Sequence, residues 1–125
     1  MQTNGKVKRY IELNGKYIND AEECLKKGDY AQASEKLWGA TVTVAKAIAA
    51  QRKKTIKSHE GIGAFLAQIA RELKDESISN VYFTAEALHQ NFYENVAPPD
   101  FVKKGAKTVK QFVTRMRNRF DLSKL

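Results

Sequence analysis

Apolar positions recur every three or four residues along nearly the whole chain, a period that places them on one side of a helix turning about 100° per residue. Val7, Tyr10, Ile11, Tyr17, Ile18, Ala21, Cys24 and Leu25 form the first such face. The helix carrying it is predicted to close near Gly28, since glycine takes the left-handed closing position at no steric cost. Asp29 and Gln32 then suit the start of a second helix, where their side chains can satisfy free amides. That helix, from about Tyr30 to Arg52, has Tyr30, Ala33, Leu37, Ala40, Val44 and Ile48 on one stripe and Trp38, Val42, Ala45 and Ala49 on another. Two stripes predict a central helix with neighbours on both sides.

A shorter third helix follows Ser58, with Ile62, Phe65, Leu66, Ile69 and Leu73 inward. The fourth begins near Ser77 and turns Ile78, Val81, Ala85, Leu88 and Phe92 inward, with Tyr82, Phe83 and Tyr93 expected to thicken that face. Pro98 and Pro99 are expected to stop it and to open the fifth, because proline lacks an amide donor yet fits a first helical turn. Val102, Ala106, Val109, Val113, Met116 and Phe120 mark that last helix. No segment alternates with a period of two. The expected fold is therefore all-α, an up-and-down bundle of about five antiparallel helices in a single domain over 1–125, with loose ends at about 1–5 and 121–125.

Composition narrows the class of function. Of 125 residues, 42% are hydrophobic and 29% charged, ordinary values for a folded domain. The polar start of the chain and the lack of any long apolar run predict a cytoplasmic protein without membrane contact. The lone Cys24 has no partner for a disulfide within the chain and reads as a small core residue. With only two histidines besides it, no metal site and no cofactor are expected. The net charge of +8 is concentrated: Lys46, Arg52, Lys53, Lys54 and Lys57 fall within 46–57 without an acid. In the fifth helix Lys103, Lys107, Lys110 and Arg117 recur on one side as a candidate polyanion-binding stripe, and the plainer role of such a stripe is solubility.

Gly28, Asp29, Tyr30, Ala33, Lys36, Leu37 and Ala40, then Lys57, Ser58, His59 and Glu60, then the block from Leu88 through His89, Gln90, Asn91, Phe92 and Tyr93 to Glu94, resemble the archaeal PaREP family. That family is placed in the HEPN superfamily of helical bundles, and the likeness runs from about Tyr17 to Arg119. The resemblance implies a HEPN-like fold and a homodimer, and some HEPN-like proteins work beside a small nucleotidyltransferase. RNA-cutting members carry an arginine, four to six residues and a histidine, in a cleft between two subunits. His89, followed by Tyr93, occupies what looks like the histidine position, but Tyr82, Phe83 and Thr84 stand where the arginine would be. Arg52 and His59 match the spacing literally but straddle a helix break. Arg52, His59 and His89 are thus weak catalytic candidates.

The expected function is accordingly a non-catalytic, HEPN-like module binding nucleic acid or an acidic protein. A metal-independent endoribonuclease with a degenerate site is the alternative. His89, Asn91, Tyr93 and Glu94 are the candidate lining of a groove. A peptide-binding helical adaptor is a further alternative, because Gly28, Tyr30, Ala33, Leu37 and Ala40 mimic one helix of a tetratricopeptide repeat, yet no second repeat follows.

Overall fold

The computed structural model describes residues 2–122, and side chains from residue 5 onward. Five helices follow one another, and no strand occurs among the described residues. They are α1 (Gln2–Lys27), α2 (Tyr30–Gln51), α3 (His59–Leu73), α4 (Ser77–Glu94) and α5 (Pro99–Arg119). The boundaries follow local chemistry. Gly28 takes a left-handed conformation (φ 74°), and the Asp29 carboxylate accepts from the Gln32 amide at 3.1 Å. Ser58 caps α3 by accepting from the Gly61 amide at 3.0 Å. Pro99 occupies the first turn of α5, where its missing donor costs nothing. The fourth helix, however, ends before the prolines, at left-handed Asn95.

Helix α2 is the axle. Ala33, Leu37, Ala40, Val44, Ala45, Ala47, Ile48 and Ala49 are all fully buried. Its alanines and Gly39 let neighbours approach closely, and a Cβ at Gly39 would stand 2.7 Å from the Tyr17 ring. Around it, Ile62, Leu66 and Ile69 enter from α3, Ile78 and Val81 from α4, and Val102, Val109 and Phe112 from α5. Each such apolar side chain contributes about 1.5–3 kcal/mol when fully buried.

Contacts fix the helix directions. Asn14 meets Ala40 and Asp20 pairs with Lys36, so α1 and α2 run antiparallel. Glu86 meets His59 while a Cβ at Gly63 would touch Tyr82, which sets α3 against α4. Ser77 meets Arg115 and Leu88 lies under Gly105, which sets α4 against α5. The expected alternation fails at one step. His59 opens α3 beside Trp38, and Glu72 near its end binds Arg52 at the end of α2, so α2 and α3 run in the same sense. The reason is the link. Lys53 turns the chain with a left-handed conformation, and the five irregular steps from Lys54 to His59 can then reach about 17 Å back along α2. Ile56 packs against the core on the way.

Helix α1 takes in residues 2–5, and Leu122 is fully buried; residue 1 and 123–125 lie outside the described residues. One further expectation changes. Phe83 and Tyr93 do not thicken the inner face of α4, being 68% and 71% exposed. No described helix is long and apolar enough to cross a membrane. Cys24 is half-buried against the core, and loss of solvent, then the Asp29 charge, pushes its thiol pKa up, away from reactivity.

Candidate two-histidine site

The returning link has a chemical result: it carries His59 onto the face of α2 that α4 already meets with His89. Both imidazoles pack on Trp38. The His59 ring lies 4.6 Å from the indole at 33°, the His89 ring 4.7 Å away at 23°, and the two imidazoles are 5.4 Å apart. Trp38 itself is nearly covered, whereas the side chains of His59 and His89 are 43% and 23% exposed. The indole is thus a floor and the histidines are the surface.

Each histidine is held by its own carboxylate. Nε2 of His59 bonds Glu86, and Nδ1 of His89 bonds Oε1 of Glu35 at 2.8 Å. A carboxylate favours a proton on the nitrogen it faces, which assigns the neutral tautomers and leaves His59 Nδ1 and His89 Nε2 as the nitrogens not bonded to a carboxylate. Either atom accepts a proton when its ring is neutral and donates one when the ring is charged. Tyr82 stands beside the same network, its ring 6.4 Å from that of Trp38. Burial, then the Glu86 charge, raises its phenol pKa, so Tyr82 stays a neutral donor. Beside His59 a dip of about 220 Å³ is lined by Trp38, Lys46, Lys57 and Ser58 among others, which puts two lysines on the His59 side of the pair.

The sequence singled out both histidines but could not join them. They are thirty residues apart, and their shared seat on Trp38 depends on how the link returns α3 along α2. Trp38, Glu35 and Glu86 were not expected at a site. A faint trace existed in Glu35 and Trp38, three apart on one face of α2.

The proposed groove of His89, Asn91, Tyr93 and Glu94 does not form. Tyr93 stands edge-on to His89 at 5.5 Å, but Asn91 points the other way and is buried. There its amide nitrogen donates to Ser34 Oγ at 3.1 Å, and its oxygen accepts from the Val96 and Ala97 amides at 2.9 and 2.8 Å. Asn91 closes α4; Glu94 is exposed.

Arg52 is also elsewhere. It makes a two-pronged contact to Glu72 at 2.9 and 2.7 Å and lies over Phe65 and Phe120, at the opposite end of α3 from His59. The literal arginine–histidine spacing is therefore not a site. On α5, Lys103 and Lys107 are exposed, while Lys110 is tied to Glu22 of α1 and Arg117 is half-buried. Exposed Lys104, not expected in the stripe, adjoins its outer part. Among the described residues no group of three or more histidine, cysteine or acidic side chains is placed to hold a metal.

The family model for the archaeal PaREP1/PaREP8 family matches residues 9–113. No curated protein matches the chain.

Proposed function

The chain belongs to the archaeal PaREP1/PaREP8 family, and from that premise we propose that it is a HEPN-like module acting on RNA, with His59 and His89 as an acid–base pair for metal-independent strand cleavage. One observation carries the reading: two imidazoles 5.4 Å apart share one indole, each fixed through one nitrogen by a carboxylate. The sequence favoured a non-catalytic role because His89 has no arginine partner. A second histidine answers that objection, since proton transfer needs a base and an acid, and imidazole serves as either near neutral pH.

The chemistry balances without a further reactant. One neutral imidazole takes the proton of a ribose 2′-hydroxyl as that oxygen attacks phosphorus. The other, protonated, gives its proton to the departing 5′-oxygen, leaving a 2′,3′-cyclic phosphate and a 5′-hydroxyl. Lys46 and Lys57 offset the phosphate charge. Glu35 and Glu86 hold the rings in register.

Labelled single-stranded RNA provides the test. Cleavage is expected with chelator present, with a bell-shaped pH profile, and with no cutting of DNA, which lacks the 2′-hydroxyl. His59→Ala and His89→Ala should each lower the rate by about 10²-fold or more. RNA that is bound but left intact by the wild-type protein overturns the cleavage reading.

That outcome would favour a second reading, a non-catalytic polyanion binder. Exposed Lys103, Lys104 and Lys107 on α5 support it, since none makes an ion pair among the described residues. Changing all three to glutamate should then abolish RNA binding while helicity is retained.

A further inference from the structure

At the end of α2 opposite the Gly28 turn, the start of α1 comes alongside the first residues of the link to α3. Between them lies a pocket of about 560 Å³ lined by Gly5, Lys6, Arg9, Ala50, Lys53, Lys54 and Thr55. Four of its seven lining residues are cations and none is an acid. We infer that this pocket is a second anion site, separate from the histidine pair, and that it takes phosphate groups.

Three features support that chemistry. First, the charges are not spent within the fold. Lys6, Arg9 and Lys53 make no ion pair among the described residues, and the acid whose field reaches Lys54 is Glu72, already bound two-pronged by Arg52. Four cations around one concavity whose lining holds no acid repel one another, and an anion between them relieves that repulsion.

Second, the two lysines of the link are presented by a fixed backbone. Lys53 adopts a left-handed conformation (φ 61°). Its amide donates to the Ala50 carbonyl at 2.9 Å, and the Lys54 amide donates to the Ala49 carbonyl at 2.8 Å. Those bonds cap carbonyls whose partial negative charge would otherwise draw the ammonium groups inward. A lysine in this conformation is uncommon where glycine or asparagine would fit more easily.

Third, the first turn of α1 has no acidic side chain, so the positive pole of that helix adds to the field from the Gly5 side. Guanidinium and ammonium groups suit phosphate oxygens, and Thr55 adds a hydroxyl. The pocket stands roughly 18 Å along α2 from Trp38, too far for one phosphate to touch both places.

The phosphate can belong to a nucleic-acid backbone or to a free polyphosphate, and one experiment separates them. Tripolyphosphate binding is measured by titration calorimetry, and binding of a single-stranded RNA oligonucleotide by fluorescence anisotropy across salt. The wild type is compared with a variant carrying Lys6→Ala, Arg9→Ala, Lys53→Asn and Lys54→Ala. Asparagine suits the left-handed backbone, and the other three positions are exposed, so circular dichroism should be unchanged. A free polyphosphate ligand is shown by wild-type calorimetric binding that the variant loses at least tenfold. A backbone ligand is shown by no tripolyphosphate binding, but weaker RNA binding with a salt slope reduced by about 1.4 for two lost phosphates. Equal affinities of wild type and variant for both probes, or a variant slope unchanged within error without tripolyphosphate binding, overturns the inference. A 2′-deoxy oligonucleotide of the same sequence, which has no 2′-hydroxyl to attack and cannot be cleaved, is run alongside and should show the same change between wild type and variant, which keeps this result apart from that of the cleavage reading.

Discussion

Asn14 sits in the middle of the apolar face of α1, fully buried, and its placement shows what a sequence pattern conceals. Its side-chain nitrogen donates to the Ala40 carbonyl at 2.7 Å and to Thr43 Oγ1 at 3.0 Å, while its oxygen finds no partner. Read along the chain, a polar residue there looks like an interruption; only the facing helix shows that it is a buried clasp. Thr43 also bonds the Gly39 carbonyl at 2.8 Å, so neither partner is stranded if the amide goes. Asn14→Ala loses the bonds and opens a cavity and should cost about 2 kcal/mol. Asn14→Leu fills the space and removes the unpartnered oxygen, so it should cost less. Denaturant melts of the two variants check the order, and a larger loss for leucine would show that the site cannot accept its branched shape without strain. The two histidines make the same point. Each was visible as a residue type, but their joint seat on Trp38 is a property of three helices.

Helix existence, length and inner faces were legible because apolar spacing and caps are local signals; Gly28, Asp29 and Ser58 act where the sequence places them. The direction of α3 was not. A short connection favours an antiparallel neighbour, and 52–58 has no regular structure in the sequence or the fold, so whether it turns sharply or runs back beside α2 is settled by contacts at both ends. Arg52 and Glu72 fasten one of those ends. The Arg52 guanidinium, then the Gln68 amide, lowers the Glu72 pKa to about 2. A carboxyl held below its unfolded value contributes stability that is fully present above pH of about 4.5 and is lost as pH falls towards 2. Glu72→Gln should therefore melt at a lower temperature than wild type at pH 6, with the gap closing as pH approaches 2. Glu72 is exposed, so the gap should be small and should shrink with added salt. A gap that persists unchanged at pH 2 would mean that glutamine disturbs packing instead of removing an ion pair.

For the whole molecule, charge and exposed apolar surface pull in opposite directions. A chain of net charge +8 repels its own copies, most strongly at low salt. Yet Phe83, Tyr93, Val96 and Phe101 are each at least 65% exposed, all on α4, the turn after it and the start of α5. Large exposed apolar side chains concentrated in one stretch of a small protein mark a surface that associates. A homodimer through this side is the arrangement we expect, and it needs about 800 Å² from each partner to be stable. Tyr93 touches His89, so the partner would lie at the rim of the histidine pair and could wall it from solvent. The two forces give opposite salt dependences. Added salt screens the repulsion between two +8 chains and should strengthen dimerisation, whereas it competes for phosphate contacts and should weaken RNA binding. Light scattering should give a mass near 28 kDa, twice the 14.1 kDa of the chain, with the dimer fraction rising between about 50 and 500 mM salt. Phe83→Glu with Phe101→Glu should return the mass to that of one chain, because burying two carboxylates in an apolar contact is costly. Both side chains point to solvent in the single chain, so the melting temperature of the monomer should barely move. A wild-type mass of one chain at micromolar concentration and high salt would show that these side chains meet no second copy.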